Sequence, residues 1–452
     1  MERRPHTIEE EDETVMTYAE AVHYLYTRTP LFSRQGATAY KPGLQTTRLL
    51  DDHFHHPHTL YHTIHVGGTN GKGSCASLIA SILQEAGYRT GLYTSPHLTD
   101  FRERIRVQGE MIPKERVVRF IEEERTFFEP LHPSFFEVTT ALALLYFAER
   151  HVDVAVIEVG LGGRLDATNI ITPLISLITN ISLDHTAQLG HTLPQIAREK
   201  AGIIKPCIPV VIGEATPDVR EVFLQTARAL EAPIYFAQEE QPSRPLPPPD
   251  SACALGTYSH NLQEPIEQIM GPLSGPGQEA NALTVLCAMP LLQERLPRID
   301  VAAIHRGFAN VLTNTHLRGR WQLLSDRPLT LCDIAHNPDG WQHVFQRLSA
   351  ILNRQPSNAQ LHIVFGTCAD KDTPAAIDLI PSRHTHLYCC AANTPRALPA
   401  HDLLCIALQG GLHATAYPSV SAAYAAAQNA ATPDDIIFIG GSNYVVAELK
   451  PS

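Results

Sequence analysis

Residues 63–87, TIHVGGTNGKGSCASLIASILQEAG, confine the chain to a narrow set of folds. A short β-branched run enters a glycine-rich turn, and beyond it Cys75, Leu78, Ile79, Ile82, Leu83 and Ala86 recur at helical spacing up to Gly87, a residue suited to ending a helix. Strand, loop and helix in that order open a parallel βαβ unit, so an α/β sheet is expected around it. The turn aims several backbone N–H groups and the positive helix end at one point, Lys72 adds a full charge, and Ser74 brings a hydroxyl for a phosphate-bound Mg²⁺. Gly68, Thr69, Asn70, Gly71, Lys72, Gly73 and Ser74 are therefore the candidate triphosphate loop. The strict GxxxxGK(S/T) template is not met, because Val66 stands at its first glycine and Gly73 separates Lys72 from Ser74. On these residues alone, a glycine-rich turn with an incidental lysine stays open.

Further apolar runs follow: VDVAVIEV (152–159), PLISLITNI (173–181) and IPVVIG (208–213). They are continuous rather than alternating, as expected of strands covered on both faces. QPSRPLPPPD (241–250) lacks ladder donors and reads as a surface loop. After a turn near Arg318–Arg320 a second series begins, with PLTLCDIAH, LHIVFG (361–366), HLYCC (386–390) and DIIFIGG (435–441). The expected fold is α/β in two parts: a P-loop, parallel-sheet ATPase domain over residues 1–314, a linker at 315–320, and a smaller Rossmann-like α/β domain over 321–452. Length agrees, since single cores stop growing at roughly 250–300 residues.

Hydrophobic content of 44% with 18% charged residues suits a soluble globular enzyme, and no apolar run approaches the ~20 residues that span a bilayer. The N-terminal MERRPHTIEEEDETV lacks the apolar stretch of a signal peptide, so a cytoplasmic location is expected. A net charge of −12 without a Lys/Arg cluster argues against nucleic-acid binding. The nine cysteines, scattered and without a CxxC pair, read as buried small hydrophobes in a reducing compartment. In DDHFHHPHTLYH, the spacing of His53, His55, His56, His58 and His62 fits neither a helical HxxxH face nor a tetrahedral zinc site, and a solvated loop before the first strand is expected.

GTNGKGS, followed by LYTSPHL (92–98) and ERIRVQG (103–109), resembles folylpolyglutamate synthase and dihydrofolate synthase, members of the Mur-type amide ligases. EVGLGGRLDATN (158–169), LDHTAQLG (183–190), REKAGIIKP (198–206), GRWQ (319–322), DIAHNPDG (333–340) and GGSNYVVAE (440–448) continue the resemblance over most of the chain. It implies a ligase that moves the γ-phosphate of ATP onto a carboxylate and then lets the amine of L-glutamate displace phosphate. The acceptor is dihydropteroate, folyl(poly)glutamate or both, with tail extension alone as the alternative. The cofactors implied are ATP and two Mg²⁺ ions, with a monovalent cation as a further candidate.

The resemblance places Ser95, Glu158 and His185 around one Mg²⁺ and a carbamylated Lys200 at the second. Lys72, Lys200 and His336 become the catalytic set. Asn281 is assigned to adenine, Arg320 and Asp333 to the rest of ATP, His336 and Ser442 to glutamate, and Phe136, Asp166 and Ala167 to the pterin. Plainer accounts stay open from the residues alone: Ser95 could open a turn before Pro96, Glu158 could cap a loop, His185 could be a surface histidine, Lys200 a solvated lysine, Phe136 a core residue, and GGS an ordinary turn. Glu158 is the strongest of these, as a carboxylate ending a buried parallel strand lies where α/β proteins bind ligands. A peptidoglycan-type Mur ligase competes less well, because a loop starting at Gly68 leaves little room for the extra N-terminal domain of those enzymes. A nucleotide switch would not need a second α/β domain. The expected partners are small molecules, with neither nucleic acid nor membrane, and the expected state is a monomer.

Overall fold

The continuous apolar runs pair as parallel strands, and the shorter strands at the edges set the limits of that pattern. The structure is a computed structural model and describes residues 16–29, 43–239, 256–261, 265–275 and 277–449. The first sheet contains β1 (His62–Gly67), β2 (Thr90–Tyr93), β3 (Ile105–Val107), β4 (Glu110–Met111), β5 (Val154–Glu158), β6 (Ile175–Ile178), β7 (Val210–Ile212) and β8 (Ile234–Phe236). Its order is β4-β3-β2-β5-β1-β6-β7-β8. The six strands from β2 to β8 in that order are parallel, while β3 and β4 add antiparallel pairs at one edge. The sheet is therefore mixed rather than purely parallel. Because β1 lies between β5 and β6, the chain leaves it to opposite sides, and a crevice opens at the carboxyl ends of these central strands.

The helix Lys72–Glu85 follows β1 directly and covers one face of the sheet with Leu78, Ile79, Ile82 and Leu83, all within 2% of full burial. Each such side chain contributes about 1.5–3 kcal/mol by leaving water, so Ile79→Ala would cost about 2–5 kcal/mol and loosen the floor under the loop. Gly87, at φ +79°, ends this helix in the left-handed region, where a Cβ would be strained. The helix Gln278–Gln293 packs on the same face, and Lys114–Phe128 and Phe135–Glu149 supply the opposite core.

Strands β9 (Gly256–Asn261) and β10 (Pro265–Gly271) form a hairpin that the apolar runs do not signal. The second sheet holds β11 (Gln322–Asp326), β12 (Leu329–Cys332), β13 (Leu361–Phe365), β14 (Thr385–Cys389), β15 (His413–Ala416) and β16 (Ile436–Gly440). Its order is β11-β12-β16-β13-β14-β15, parallel except for the β11–β12 hairpin. No helix among the described residues is long and apolar enough to cross a membrane.

The histidine-rich stretch is not a solvated loop: it ends the helix Gln45–His53 and forms the turn Pro57–Thr59. There His56 and His58 each bond through Nδ1 to the buried Asp51 at 2.8 Å, while His53 stacks on Phe127. Cys207, in the turn before β7, and Cys405, on the outer side of the helix Ala400–Gln409, are exposed, whereas Cys75, Cys287, Cys332, Cys368, Cys389 and Cys390 are buried as expected. The segment 241–250 and Cys253 lie outside the described residues.

Candidate active site

Residues 68–74 wrap the amino end of the helix that begins at Lys72. Two glycines are required by space as well as by angle. Gly68 has φ +133°, and a Cβ there would fall 1.9 Å from Thr179 Oγ1; Gly71 has φ +83°, and its Cβ would fall 2.0 Å from Asn281 Oδ1. Asn70 is held from the loop after β6, its N–H donating to Asn180 Oδ1 at 2.9 Å. Lys72 Nζ folds back on the carbonyls of Gly68 and Thr69 at 3.2 and 2.9 Å. The loop lines a cavity of ≈ 210 Å³ together with Ser95, Glu158, His185, Lys200, Asn281, Arg320, Asp333 and His336. Gln278, which carries no signal in the sequence, donates to Ser74 Oγ at 3.3 Å and lines the same wall.

The donors on this wall suit a divalent cation carrying phosphate. Glu158 ends β5 at 3% exposure; burial raises its carboxyl, while the Lys72 charge and the Ser95 N–H at 3.0 Å oppose that rise. Ser95 lies in the turn after β2 and lines the same cavity as this carboxylate. His185 is pulled down to about 4, chiefly by burial, so its imidazole is neutral and keeps a lone pair for a metal. A carboxylate, a hydroxyl and a neutral imidazole are donors that could hold Mg²⁺, which prefers oxygen and keeps waters at its remaining positions.

Lys200 lies in the helix Leu193–Ala201 and is 4% exposed, not solvated. Burial, and then the charge of Lys72, bring its amine down to about 7, and its Nζ donates to Gly68 O at 2.7 Å. Arg320 approaches the loop from the opposite side: a Cβ on Gly73 would lie 3.4 Å from its guanidinium and 3.5 Å from Glu158. Asp333 faces Arg320, but its oxygens accept from the N–H groups of Trp321 and Ala335, both at 2.8 Å, and so also brace its own loop.

A second cavity of ≈ 250 Å³ adjoins the first, and Ser95, His185 and His336 belong to both walls. Phe136, Asp166, Ala167 and Ser442 line it. Phe135 is the core residue, while Phe136 lies over Gly160, where a Cβ would meet its ring at 2.4 Å. Asp166 is buried and accepts from the backbone of Leu161 and Thr168. Ser442 caps the helix Asn443–Ala447 by accepting from Val445 N–H, so its hydroxyl already has a structural task. Arg104, unassigned from sequence, also faces this cavity, with its guanidinium 5.1 Å from the Phe135 ring centre and its Nε donating to His97 at 2.7 Å.

The two domains already touch across the site. Asp184 receives Lys371 Nζ at 2.7 Å and Asn337 Nδ2 at 3.3 Å, and Asn70 donates to Asp339 at 2.8 Å. Burial disfavours the Asp184 carboxylate, but His336, His185 and Lys371 outweigh it and hold the group well below the usual range. Asp184 and Lys371 were missed; the former adjoins a motif histidine, while the latter carries no local signal.

A glycine-rich loop on a mainly parallel sheet, facing the strand ends of a second α/β domain, is the domain arrangement of the Mur ligases. Residues 66–288 match the Mur ligase middle domain, and residues 319–443 match the Mur ligase glutamate ligase domain. The Bacillus subtilis dihydrofolate synthase/folylpolyglutamate synthase is 35% identical over 380 residues, covering 80% of this chain and 84% of that protein. Escherichia coli FolC, solved in complex with DHPP and ADP, superposes with a TM-score of 0.79 at 29% identity, over 96% of both chains. A bifunctional folylpolyglutamate synthase/dihydrofolate synthase solved with Mn, AMPPNP and L-glutamate bound gives 0.77 at 29% identity, over 96% of this chain and 97% of that one. The chain belongs to the dihydrofolate synthase/folylpolyglutamate synthase family of Mur ligases. It spans about half the length of its relatives from Haloferax volcanii and Halobacterium salinarum, the match covering 50% and 51% of those proteins.

Proposed function

We propose that this chain joins L-glutamate to the carboxylate of dihydropteroate and to that of a folate or folylpolyglutamate, consuming ATP and releasing ADP and phosphate. The carrying observation is the meeting of the two cavities at Ser95, His185 and His336, which brings a phosphate loop against an apolar pocket with a cationic rim. A carboxylate in the second cavity would face the terminal phosphoryl group of a nucleotide in the first. Phosphoryl transfer then makes an acyl phosphate, and the glutamate amine displaces the phosphate. Catalysis of this kind is mainly positioning and charge neutralisation.

Lys72 turns from the loop carbonyls to the phosphates, Arg320 neutralises them from the linker between the domains, and Asn281 borders the adenine. Mg²⁺ held by Ser95, Glu158 and His185 would offset phosphate charge. Lys200, whose amine is partly unprotonated near neutrality, is read as the site of carbamylation: its nitrogen bonds to the carbon of CO₂ and releases a proton, leaving an anionic ligand for a second ion. Phe136, Asp166 and Ala167 take the pterin, and His336 with Ser442 takes glutamate. The domains divide at 315–320, supported by the end of the helix Val311–Thr315 and the start of β11 at Gln322. The same reading has the enzyme act as a cytoplasmic monomer.

The test is glutamate-dependent ADP release with Mg-ATP, using dihydropteroate and a reduced folate monoglutamate in parallel. Turnover with both is expected. Turnover with the folate alone restricts the enzyme to tail extension, and turnover with neither overturns the reading.

A further inference from the structure

Just before the phosphate loop, β1 carries a polar residue to which the reaction gives no task. His65 is fully buried, and Ile64 and Val66 on either side of it point into the core of the opposite sheet face. Its Nε2 lies 2.9 Å from Thr168 Oγ1, and Thr168 Oγ1 bonds in turn to Asp166 Oδ1. Asp166 also accepts from Thr168 N–H at 3.0 Å and, through its other oxygen, from Leu161 N–H at 2.8 Å.

The proton count sets the direction of this chain. A hydroxyl has one proton, and a carboxylate already receiving two N–H groups takes it, so His65 must donate to Thr168 through Nε2–H. His65 Nδ1 then carries a lone pair and has no partner among the described residues. The reverse direction would leave a buried N–H without an acceptor, the rarer and costlier defect.

We propose that His65 is a positioning residue for the acceptor substrate: through Thr168 it fixes Asp166 as a hydrogen-bond acceptor in the wall of the second cavity. The relay ties the acceptor loop to the strand that delivers the phosphate loop, so both substrates are registered against one element. It rests on the proposed function in taking that cavity as the pteroate site.

The experiment compares His65→Gln with His65→Asn, because a glutamine amide nitrogen reaches the place of Nε2 and an asparagine nitrogen only that of Nδ1. With dihydropteroate as the varied substrate, His65→Asn is expected to raise KM about tenfold, the scale of one lost hydrogen bond. His65→Gln should stay within about threefold, and KM for ATP should change little in either. Thr168→Val should act like His65→Asn and Thr168→Ser like wild type, which keeps the test open if a His65 variant fails to fold. The double variant His65→Asn/Thr168→Val should be no worse than the poorer single variant. Equal behaviour of Gln and Asn, additive effects in the double variant, or an ATP KM that moves as far as the acceptor KM would each overturn the relay. Wild-type enzyme with no dihydropteroate turnover would instead remove the functional reading, and the relay's substrate role with it.

Discussion

Replacing Lys371 by methionine should slow the reaction without unfolding either domain. Lys371 Nζ lies 2.7 Å from Asp184 Oδ1, and the two side chains are only 12% and 9% exposed. Breaking a buried ion pair by removing one partner costs about 3–5 kcal/mol. Here the other oxygen keeps Asn337 at 3.3 Å and His336 at 3.5 Å, so the loss should be nearer 1–3 kcal/mol. Since the bond joins loops of different sheets, its loss weighs on the closed arrangement rather than on either core. At 1.36 kcal/mol per decade, kcat/KM should fall about 5- to 150-fold, with a small change in melting temperature. Steady-state ADP release checks this, beside Asp184→Asn and the double variant. Because both single changes break one contact, the double effect should fall short of their sum by about 1 kcal/mol. A Lys371→Met enzyme within twofold of wild type, or simple additivity, would refute the reasoning.

Lys72→Met and Glu158→Gln should each abolish amide formation while leaving a cooperative melt, because they remove charge compensation and little core volume; full activity in either sinks the site assignment. Gly160→Ala should push the Phe136 ring into the second cavity, given the 2.4 Å approach of a Cβ, raising acceptor KM several-fold with KM for glutamate little altered. At Asp51, burial raises the carboxyl, but His58 and His56 outweigh it and lower it; the Asp51 bond raises His56. Asp51 then stabilises above the unfolded carboxylate value of about 4 and loses that as pH falls, whereas His56 stabilises below about 6.5 and loses that as pH rises through its folded value. The cluster's contribution should peak between those limits, and Asp51→Asn should flatten it; urea midpoints from pH 3 to 9 check this, and an unchanged profile counts against it.

Much of the fold can be read along the chain. Continuous apolar runs at 152–159, 173–181 and 361–366 contain β5, β6 and β13 because a strand buried on both faces must be apolar throughout. The short strands β4 and β11 at the sheet edges, and the three-residue β3 beside β4, gave no such signal, because strands of two to five residues are too short for a long apolar run. The same limit hid the β9–β10 hairpin.

By itself the sequence determined the buried parallel strands, the glycine-rich loop and many of the residues that line the two cavities, because glycines, a lysine and strand-ending carboxylates act over a few adjacent positions. Tertiary structure alone decided what those groups became. It buried Lys200 and brought its amine down to about 7, turned Ser442 into a helix cap, set His65 behind Asp166, and paired Asp184 with Lys371 across 187 positions. Local periodicity records which face of an element is apolar. Protonation and partnership depend on charges and solvent brought near by folding, and these come from distant parts of the chain.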